Sequence, residues 1–326
     1  MFPPSGLKGG GNTVIFAISR RNIIDTIIGN IDLLFLAPPL SVQLIVNGMM
    51  IGALFALAAF GMALVWGVMN VINIAQGEFV VLGGYVAVMM AQSGIHPFFA
   101  IFVAPVVLYG VGWAFYQTII KRVVDKDLFT SLLATFGISI LVQQLMNQIF
   151  GADIRRAPHG FGTWGFFDNL VTIEQVKLLA ALAALALGGV MVLFLKKSRL
   201  GQAIRATAQN ARAARIMGID TDKVYAATYG LNAAICGAAG AMVAMIWVVE
   251  PYIGLVYTIR AFMIAIIAGL GNLSGVVLAG LGLGVAENFA GFIMGAEYQI
   301  AFVFSLLVVI LVGRSILLGR KREYLK

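Results

Sequence analysis

Eight apolar runs, at about 42–66, 71–93, 98–120, 129–151, 176–196, 225–249, 260–292 and 298–318, occupy most of this 326-residue chain. Nearly all approach or exceed the ~20 residues that a helix needs to cross the hydrocarbon core of a bilayer. In hydrocarbon the backbone polar groups of a spanning segment must be satisfied without water, and a helix does this within itself. Composition supports the same reading. Hydrophobic residues make up 61% of the chain and charged residues 11%, against ~25% charged in an ordinary soluble domain. The expected fold is an all-α polytopic membrane protein with about eight to nine transmembrane or re-entrant helices.

Several function classes are excluded on the same grounds. The single cysteine, Cys236, lies in an apolar run, so no disulfide framework or thiolate metal site is expected. His96 and His159 have no ligand-like spacing, and no metal is expected. No Gly-Lys dipeptide occurs, which removes a Walker A loop. The chain should carry no cofactor, and any ATP that drives it must be hydrolysed by another subunit. An intramembrane enzyme would need convergent nucleophile, base or metal ligands. The net charge of +8 sits at segment ends; that is the positive-inside pattern and not a nucleic-acid footprint.

Lys121, Arg122 and Lys126 mark one cytoplasmic loop. Lys196, Lys197, Arg199, Arg205, Arg212, Arg215 and Lys223 mark a second, and Arg314, Arg320, Lys321, Arg322 and Lys326 mark the tail. Residues 152–175 then face outward. The run at 260–292 is too long for one straight crossing, and Gly269, Gly271 and Gly275 interrupt it, so two shorter helices are expected. Residues 1–12, with Pro3 and Pro4, read as a tail; 13–36 read as an amphipathic interfacial helix ended by Pro38 and Pro39. Three crossings before Lys121 would put Pro38 outside. A re-entrant 71–93 segment would put it inside, the side that Arg20 and Arg21 favour. The pairs Gly48/Gly52, Gly271/Gly275, Gly280/Gly284 and Gly291/Gly295 are spaced for close helix packing within the subunit.

Three segments carry chemistry. Residues 202–217 are alanine-rich and predicted helical, with Arg205, Gln209 and Arg212 on one face. Ala203, Ala206, Ala213, Ala214 and Met217 lie on the other, and Gly218 is the stop. Such a face suits docking of another protein, although a basic connector would also be solvated. In the first half of the chain, Asn70, Asn73, Gln76, Gly77 and Glu78 interrupt the apolar pattern; Asn73 and Gln76 would share a helical face. In the second half, Gly271, Asn272, Ser274 and Gly275 do the same. Paired interruptions point to a transport pathway; the alternative is two polar loops at the membrane surface. Glu78, Glu287 and Arg260 are the ionisable residues within the runs, each near a segment end. Amides, hydroxyls and glycine backbone would then line a route suited to a solute without net charge. Trp164, Phe166 and Phe167 read as an interfacial aromatic belt, and Arg155 and Arg156 as outer solvated charges.

The segment Gly201-Gln202-Ala203-Ile204-Arg205-Ala206, with Ala213-Ala214 and Met217-Gly218-Ile219, resembles the cytoplasmic coupling loop of ABC importer permeases of the branched-chain amino-acid (LIV) type. Asn47-Gly48, Gly52 to Leu57 and Asn70 to Phe79 match the same family, as do Ala268 to Gly275; the likeness runs from about 41 to 313. Gln76 stands where that family more often carries histidine.

Together, composition and the resemblance predict three divisions. Residues 1–40 form the tail and interfacial helix. Residues 41–318 form the permease domain, with a coupling loop at about 197–223, and 319–326 form a basic cytoplasmic tail. The paired interruptions predict a translocation pathway at Asn70, Asn73, Gln76, Gly77, Glu78, Gly271, Asn272, Ser274 and Gly275. The resemblance implies ATPase coupling through Gly201, Arg205, Ala206, Ala213, Ala214 and Gly218. The implied partners are a homologous second permease (or a second copy), two cytoplasmic ATPase subunits and a periplasmic solute-binding protein, in the bacterial inner membrane. The implied solute is a branched-chain or other small neutral amino acid. The rival is a stand-alone secondary transporter or channel for a small polar solute such as urea, which needs no ATPase; the basic, alanine-faced helix argues against it.

Overall fold

The computed structural model describes residues 25–166, 170–269 and 271–323. The predicted tail at 1–12, the first part of the interfacial helix, Phe167 and residues 324–326 lie outside the described residues. Residues 25–36 are helical (α1). The helices that follow are α2 (Pro38–Met69), α3 (Gln76–Gln92), α4 (Ala100–Thr118), α5 (Leu128–Phe150) and α6 (Gln175–Lys197). Then come α7 (Arg199–Gln209), α8 (Ala211–Ile216), α9 (Thr221–Ile246), α10 (Gly254–Ala268), α11 (Leu273–Met294) and α12 (Gln299–Glu323). Seven helical segments among the described residues are long and apolar enough to span a membrane, and α10 is a shorter apolar helix. The expected division of 260–292 is present as α10 and α11. One small departure from all-α structure is an antiparallel hairpin, β1 (Thr163–Phe166) on β2 (Val171–Glu174), in the loop between α5 and α6.

Helices α2 and α9 form the buried centre. Both are rich in alanine and glycine, so neighbouring backbones can approach them from several sides. Helix α11 lies antiparallel on α2. A Cβ at Gly48 would stand 2.6 Å from the Cα of Val285, and one at Gly52 would stand 2.9 Å from the Cα of Leu281. The Gly48/Gly52 and Gly280/Gly284 pairs therefore face each other within one subunit, as expected. The other two pairs do not join helices this way. Gly275 packs on its own turn, against Asn272 and the Ala268 carbonyl, and Gly291 on the Gln299 side chain. On the far side of the centre, Gly83 of α3 meets Gly237 of α9, and Gly112 of α4 meets Ala233.

Contacts across the bundle define its two ends. Gln43, near the start of α2, exchanges hydrogen bonds with the Thr172 backbone at 2.8 Å each, and Asn30 donates to the Phe292 carbonyl at 3.0 Å. The start of α2, the hairpin and the end of α11 thus share the side assigned outward by residues 152–175. At the other end Lys121 pairs with Asp222 at 3.4 Å. The chain runs between these ends three times before Lys121, through α2, through the 70–75 stretch with α3, and through α4. Pro38 therefore lies at the end opposite Lys121, the arrangement expected with three crossings. The physical reason is that the 70–75 stretch unwinds and allows α3 to return as a passage of its own.

In the outer loop His159 accepts the Phe161 N–H at Nδ1 (3.0 Å). Partial burial, then nearby Arg156, holds its imidazole below the ordinary 6.5. Neutral His159 is thus the folded form.

Two outcomes follow. Gly284→Leu should destabilise the purified protein by ~3 kcal/mol or more, because the added side chain meets helix backbone. Gly282→Leu, with nothing within 4 Å of its Cβ position, should leave the thermal unfolding midpoint nearly unchanged. The second outcome concerns pH. Because the folded pKa of His159 is lowered, its contribution is complete above 6.5 and is lost as pH falls from there through the folded value. Hydrogen exchange in the 151–174 segment, corrected for intrinsic rates, should quicken between neutral pH and about pH 5, and His159→Gln should flatten that response.

Candidate functional site

Helix α2 ends where Asn70 takes a left-handed conformation (φ 52°) and its N–H bonds the Trp66 carbonyl. Residues 71–75 are not helical, and α3 starts at Gln76 behind Ala75, which offers no side-chain cap. Helices α5, α7, α8, α9 and α11 differ: each is capped by Asp127, Ser198, Asn210, Asp220 or Asn272. The start of α3 is buried, so its free N–H groups need partners from other helices. Thr258 of α10 supplies one: its Oγ1 accepts the Gly77 N–H at 2.8 Å and donates to the Ile74 carbonyl at 2.9 Å. Thr135 of α5 does the same from the other side, accepting the Ile74 N–H at 3.2 Å and donating toward the Ile72 carbonyl at 2.8 Å.

The side chains of this stretch close a network around it. Asn73 Nδ2 donates to Gln76 Oε1 at 3.1 Å, and Tyr229 Oη donates to Asn73 Oδ1 at 3.2 Å. Gln76 Nε2 donates to the Ala58 carbonyl at 2.7 Å and lies 3.0 Å from Cys236 Sγ. Glu78 Oε1 accepts from Ser139 and Gln143 at 2.8 and 2.7 Å. Asn73, Gln76 and Glu78 are fully buried, while Asn70 is exposed. The expected shared helical face is corrected: Asn73 lies ahead of α3, and a turn brings it to Gln76. The chain can break its helix here because hydroxyls of α5 and α10 satisfy the freed backbone and Tyr229 of α9 bonds the Asn73 side chain. Tyr229, Thr135 and Thr258 were not identified from sequence, since ordinary tyrosines and threonines in apolar runs give no local signal.

The second interruption lies elsewhere. Gly269 and Gly271, at φ 87° and 86°, turn the chain between α10 and α11. Asn272 caps α11, accepting the Gly275 N–H at 3.2 Å and donating to the Ala268 carbonyl at 3.1 Å. Gly271, Asn272 and Ser274 border a cavity of about 360 Å³ with Gly67, Lys196 and Arg205. The structure thus separates the two interruptions, one in mid-bundle and one at the inner end. It brings the second beside Arg205 of α7.

The single helix expected over 202–217 is two. Asn210 is extended (φ −159°, ψ 100°) and caps α8 by accepting the Ala213 N–H at 3.0 Å. An asparagine that caps the following turn competes with helix continuation. The alanine face is broken accordingly. Gly201, Ile204, Thr207 and Ala214 turn toward the bundle, Ala206 is half-buried, and Arg205, Ala213 and Gly218 are exposed. The apolar side chains presented outward are Ile216 and Met217, 80% and 81% exposed. Gly218 ends α8 with φ 85°, as expected.

Arg260 and Glu287 do not stand at segment ends, which corrects that expectation. They lie within α10 and α11, paired through Nε and Nη2 of the guanidinium, with Nε 3.0 and 3.1 Å from the two carboxylate oxygens. Arg260 also lies over the Phe55 ring, 4.9 Å from its centroid. The pair borders an outer cavity of about 660 Å³, together with Phe55, Trp247, Glu250 and Tyr257. Opposite charges on consecutive apolar segments were the available signal, because ionisable groups at membrane depth pair with one another.

A family model for the branched-chain amino acid transport system / permease component matches residues 44–312. Escherichia coli (strain K12) LivH, a high-affinity branched-chain amino acid transport system permease protein, is 31% identical over 297 residues, covering 85% of this chain and 95% of LivH. Pseudomonas aeruginosa BraD, named likewise, is 29% identical with the same coverage. A probable branched-chain amino acid transport permease protein LivH of Methanocaldococcus jannaschii is 28% identical, covering 79% of this chain and 85% of the relative. The solved structure of PsaBC from Streptococcus pneumoniae in complex with Fab is similar over 81% of this chain and 89% of its own, at 12% identity and a TM-score of 0.44.

The bracing of residues 72–77 is testable. Thr258→Val leaves a buried N–H and a carbonyl without partners and should cost ~1–3 kcal/mol in thermal or denaturant unfolding. Thr258→Ser, which keeps the hydroxyl, should recover most of that loss. Equal stability of the valine and serine variants would show that the hydroxyl is not the brace.

Proposed function

The chain belongs to the family of permease components of branched-chain amino-acid transport systems, and from that premise we propose that it is the membrane subunit through which an ATP-driven importer moves branched-chain or closely related neutral amino acids. The observation that carries the reading is the family match over residues 44–312. The broken basic element formed by α7 and α8 agrees with it. This element sits at the inner end of the bundle and turns Ile216 and Met217 outward.

In this reading Ala213, Ile216 and Met217 dock on an ATPase subunit, with Arg212 and Arg215 beside them. Gly201 and Ala214 hold the element to the bundle. Gly201 does so by close contact with the Leu195 backbone. Arg205 donates to the Lys196 carbonyl at 3.1 Å and borders the inner cavity with Asn272 and Ser274. A push on α7 and α8 would therefore reach the turn between α10 and α11 and the end of α2. ATP is bound and hydrolysed by the two partner ATPases, and this subunit carries no cofactor. A homologous permease or second copy completes the pathway, and a periplasmic binding protein delivers the solute to the outer end, in the bacterial inner membrane. The buried network of Asn73, Gln76 and Glu78 holds α3 in place beside the pathway.

The test uses the complete complex in proteoliposomes. Leucine uptake should require the loaded binding protein on one side and ATP on the other. Ile216→Glu with Met217→Glu should lower uptake by at least about tenfold at equal protein abundance, the loss typical of removing central contacts from an interface. Ala213→Trp should do the same, whereas Ala214→Trp should instead impair folding, because Ala214 packs inward. Leucine uptake driven by an ion gradient without the ATPase subunits would overturn the importer reading in favour of a stand-alone transporter.

A further inference from the structure

We propose that the outer cavity between α2, α10 and α11 is a binding site for a free α-amino acid, holding its carboxylate on Arg260, its ammonium toward Glu250 and Glu287, and its aliphatic side chain on Phe55 and Trp247. This rests on the importer reading and deepens it, since it places recognition of the solute's head group in the permease as well as in the binding protein.

The cavity, about 660 Å³, is within the ~300–1,000 Å³ usual for small-molecule sites. One wall is aromatic: Phe55 and Trp247 stack at 5.9 Å and 8°, and Tyr257 tilts against Phe55 at 6.4 Å. The Arg260 and Glu287 side chains are 12% and 7% exposed, so the pair lies in a poorly solvated wall. An ion pair so placed costs more desolvation than an apolar pair of the same volume, and stability alone is a weak reason for it. Guanidinium carries five N–H donors. Glu287 engages Nε and Nη2, and the Phe55 ring lies against the plane. That leaves Nη1 donors on a side chain already held in orientation, which is a suitable partner for a carboxylate.

The charged groups at the cavity select the ligand class. Two carboxylates and one guanidinium border the space, an excess of one negative charge. A monoanion would add to that excess, and a simple amine would offset it but leave the Nη1 donors of Arg260 unused. A zwitterion with both charged groups on one carbon meets both signs. An aliphatic side chain then covers the Phe55 ring, which offers no hydrogen-bonding partner for a polar one.

The experiment is binding of radiolabelled L-leucine to the full transporter complex in nanodiscs, without the binding protein. Competitors are 3-methylbutylamine, which lacks the carboxylate, and 4-methylpentanoate, which lacks the ammonium. Saturable binding is expected, with each one-ended analogue competing at least about tenfold more weakly than leucine, as loss of a charged hydrogen-bonding group implies. Arg260→Gln combined with Glu287→Gln removes both charges, leaves neither buried alone, and should weaken leucine binding by about tenfold or more with an unfolding temperature near that of the parent. Glu250→Gln should weaken binding without disturbing the pair. Absence of saturable leucine binding, equal competition by the one-ended analogues, or unchanged binding in the double variant would overturn the proposal and leave a purely structural ion pair. The importer reading is judged separately. Binding-protein-dependent, ATP-dependent leucine uptake alongside any of those results would sustain it while this inference fails.

Discussion

The rest of the structure depends on how one non-helical stretch is satisfied inside a membrane. Residues 71–75 expose backbone N–H and C=O groups where no lipid can bond them, and unpaired backbone at that depth is tolerated only when protein supplies the partners. Here two threonine hydroxyls, each used as both acceptor and donor, bridge the stretch from α5 and α10. Tyr229 and Gln76 complete the arrangement from α9 and α3. Five helices must therefore converge on about six residues. The small side chains of α2 and α9 make that convergence possible, because hydroxyl-length side chains reach only a short distance. Glycine-mediated packing and the buried polar network are one design: the first brings the helices close enough for the second to exist.

The same constraint separates the two ends of the molecule into different kinds of surface. At the inner end, helix starts are capped by their own Asp, Ser or Asn side chains, and salt bridges such as Lys121–Asp222 are half-exposed. Interactions there are screened and individually weak, which suits the docking role proposed for α7 and α8. The turn between α10 and α11 lies next to α7 and to the end of α2. A displacement of the basic element therefore bears on α2, α10 and α11, the three helices that also border the outer cavity. At the outer end the Arg260–Glu287 pair is poorly solvated, and its interactions are correspondingly strong.

That outer pair changes the account of the solute. A pathway of amides and glycine backbone alone would favour any small neutral molecule, urea included. A cavity bordered by a guanidinium, two carboxylates and stacked aromatic rings favours a molecule with both charges and an apolar tail. Recognition by the permease is then not left wholly to weak hydrogen bonds.

The sequence alone determined that this is a bundle of membrane helices, which ends carry the basic residues, and where the apolar pattern is interrupted. Length and hydropathy are local properties, and lipid allows few alternatives to a helix. It also marked Asn73, Gln76 and Glu78 as unusual, since amides and acids are costly in hydrocarbon. Their bonding partners were not legible. Thr135, Thr258 and Tyr229 are unremarkable in their own segments and become braces only when three helices bring them together. The break at Asn210 is not legible from composition, because alanine propensity over 202–217 outweighs one capping asparagine. The outward placement of Pro38 depended on whether α3 was a passage or a re-entrant loop, which hydropathy does not distinguish. Arg260 and Glu287 were each visible as isolated charges, but that they form a pair, and that the pair borders a cavity, was decided by tertiary structure, because only the packing of α10 against α11 and α2 brings two charges 27 residues apart into contact and leaves space beside them.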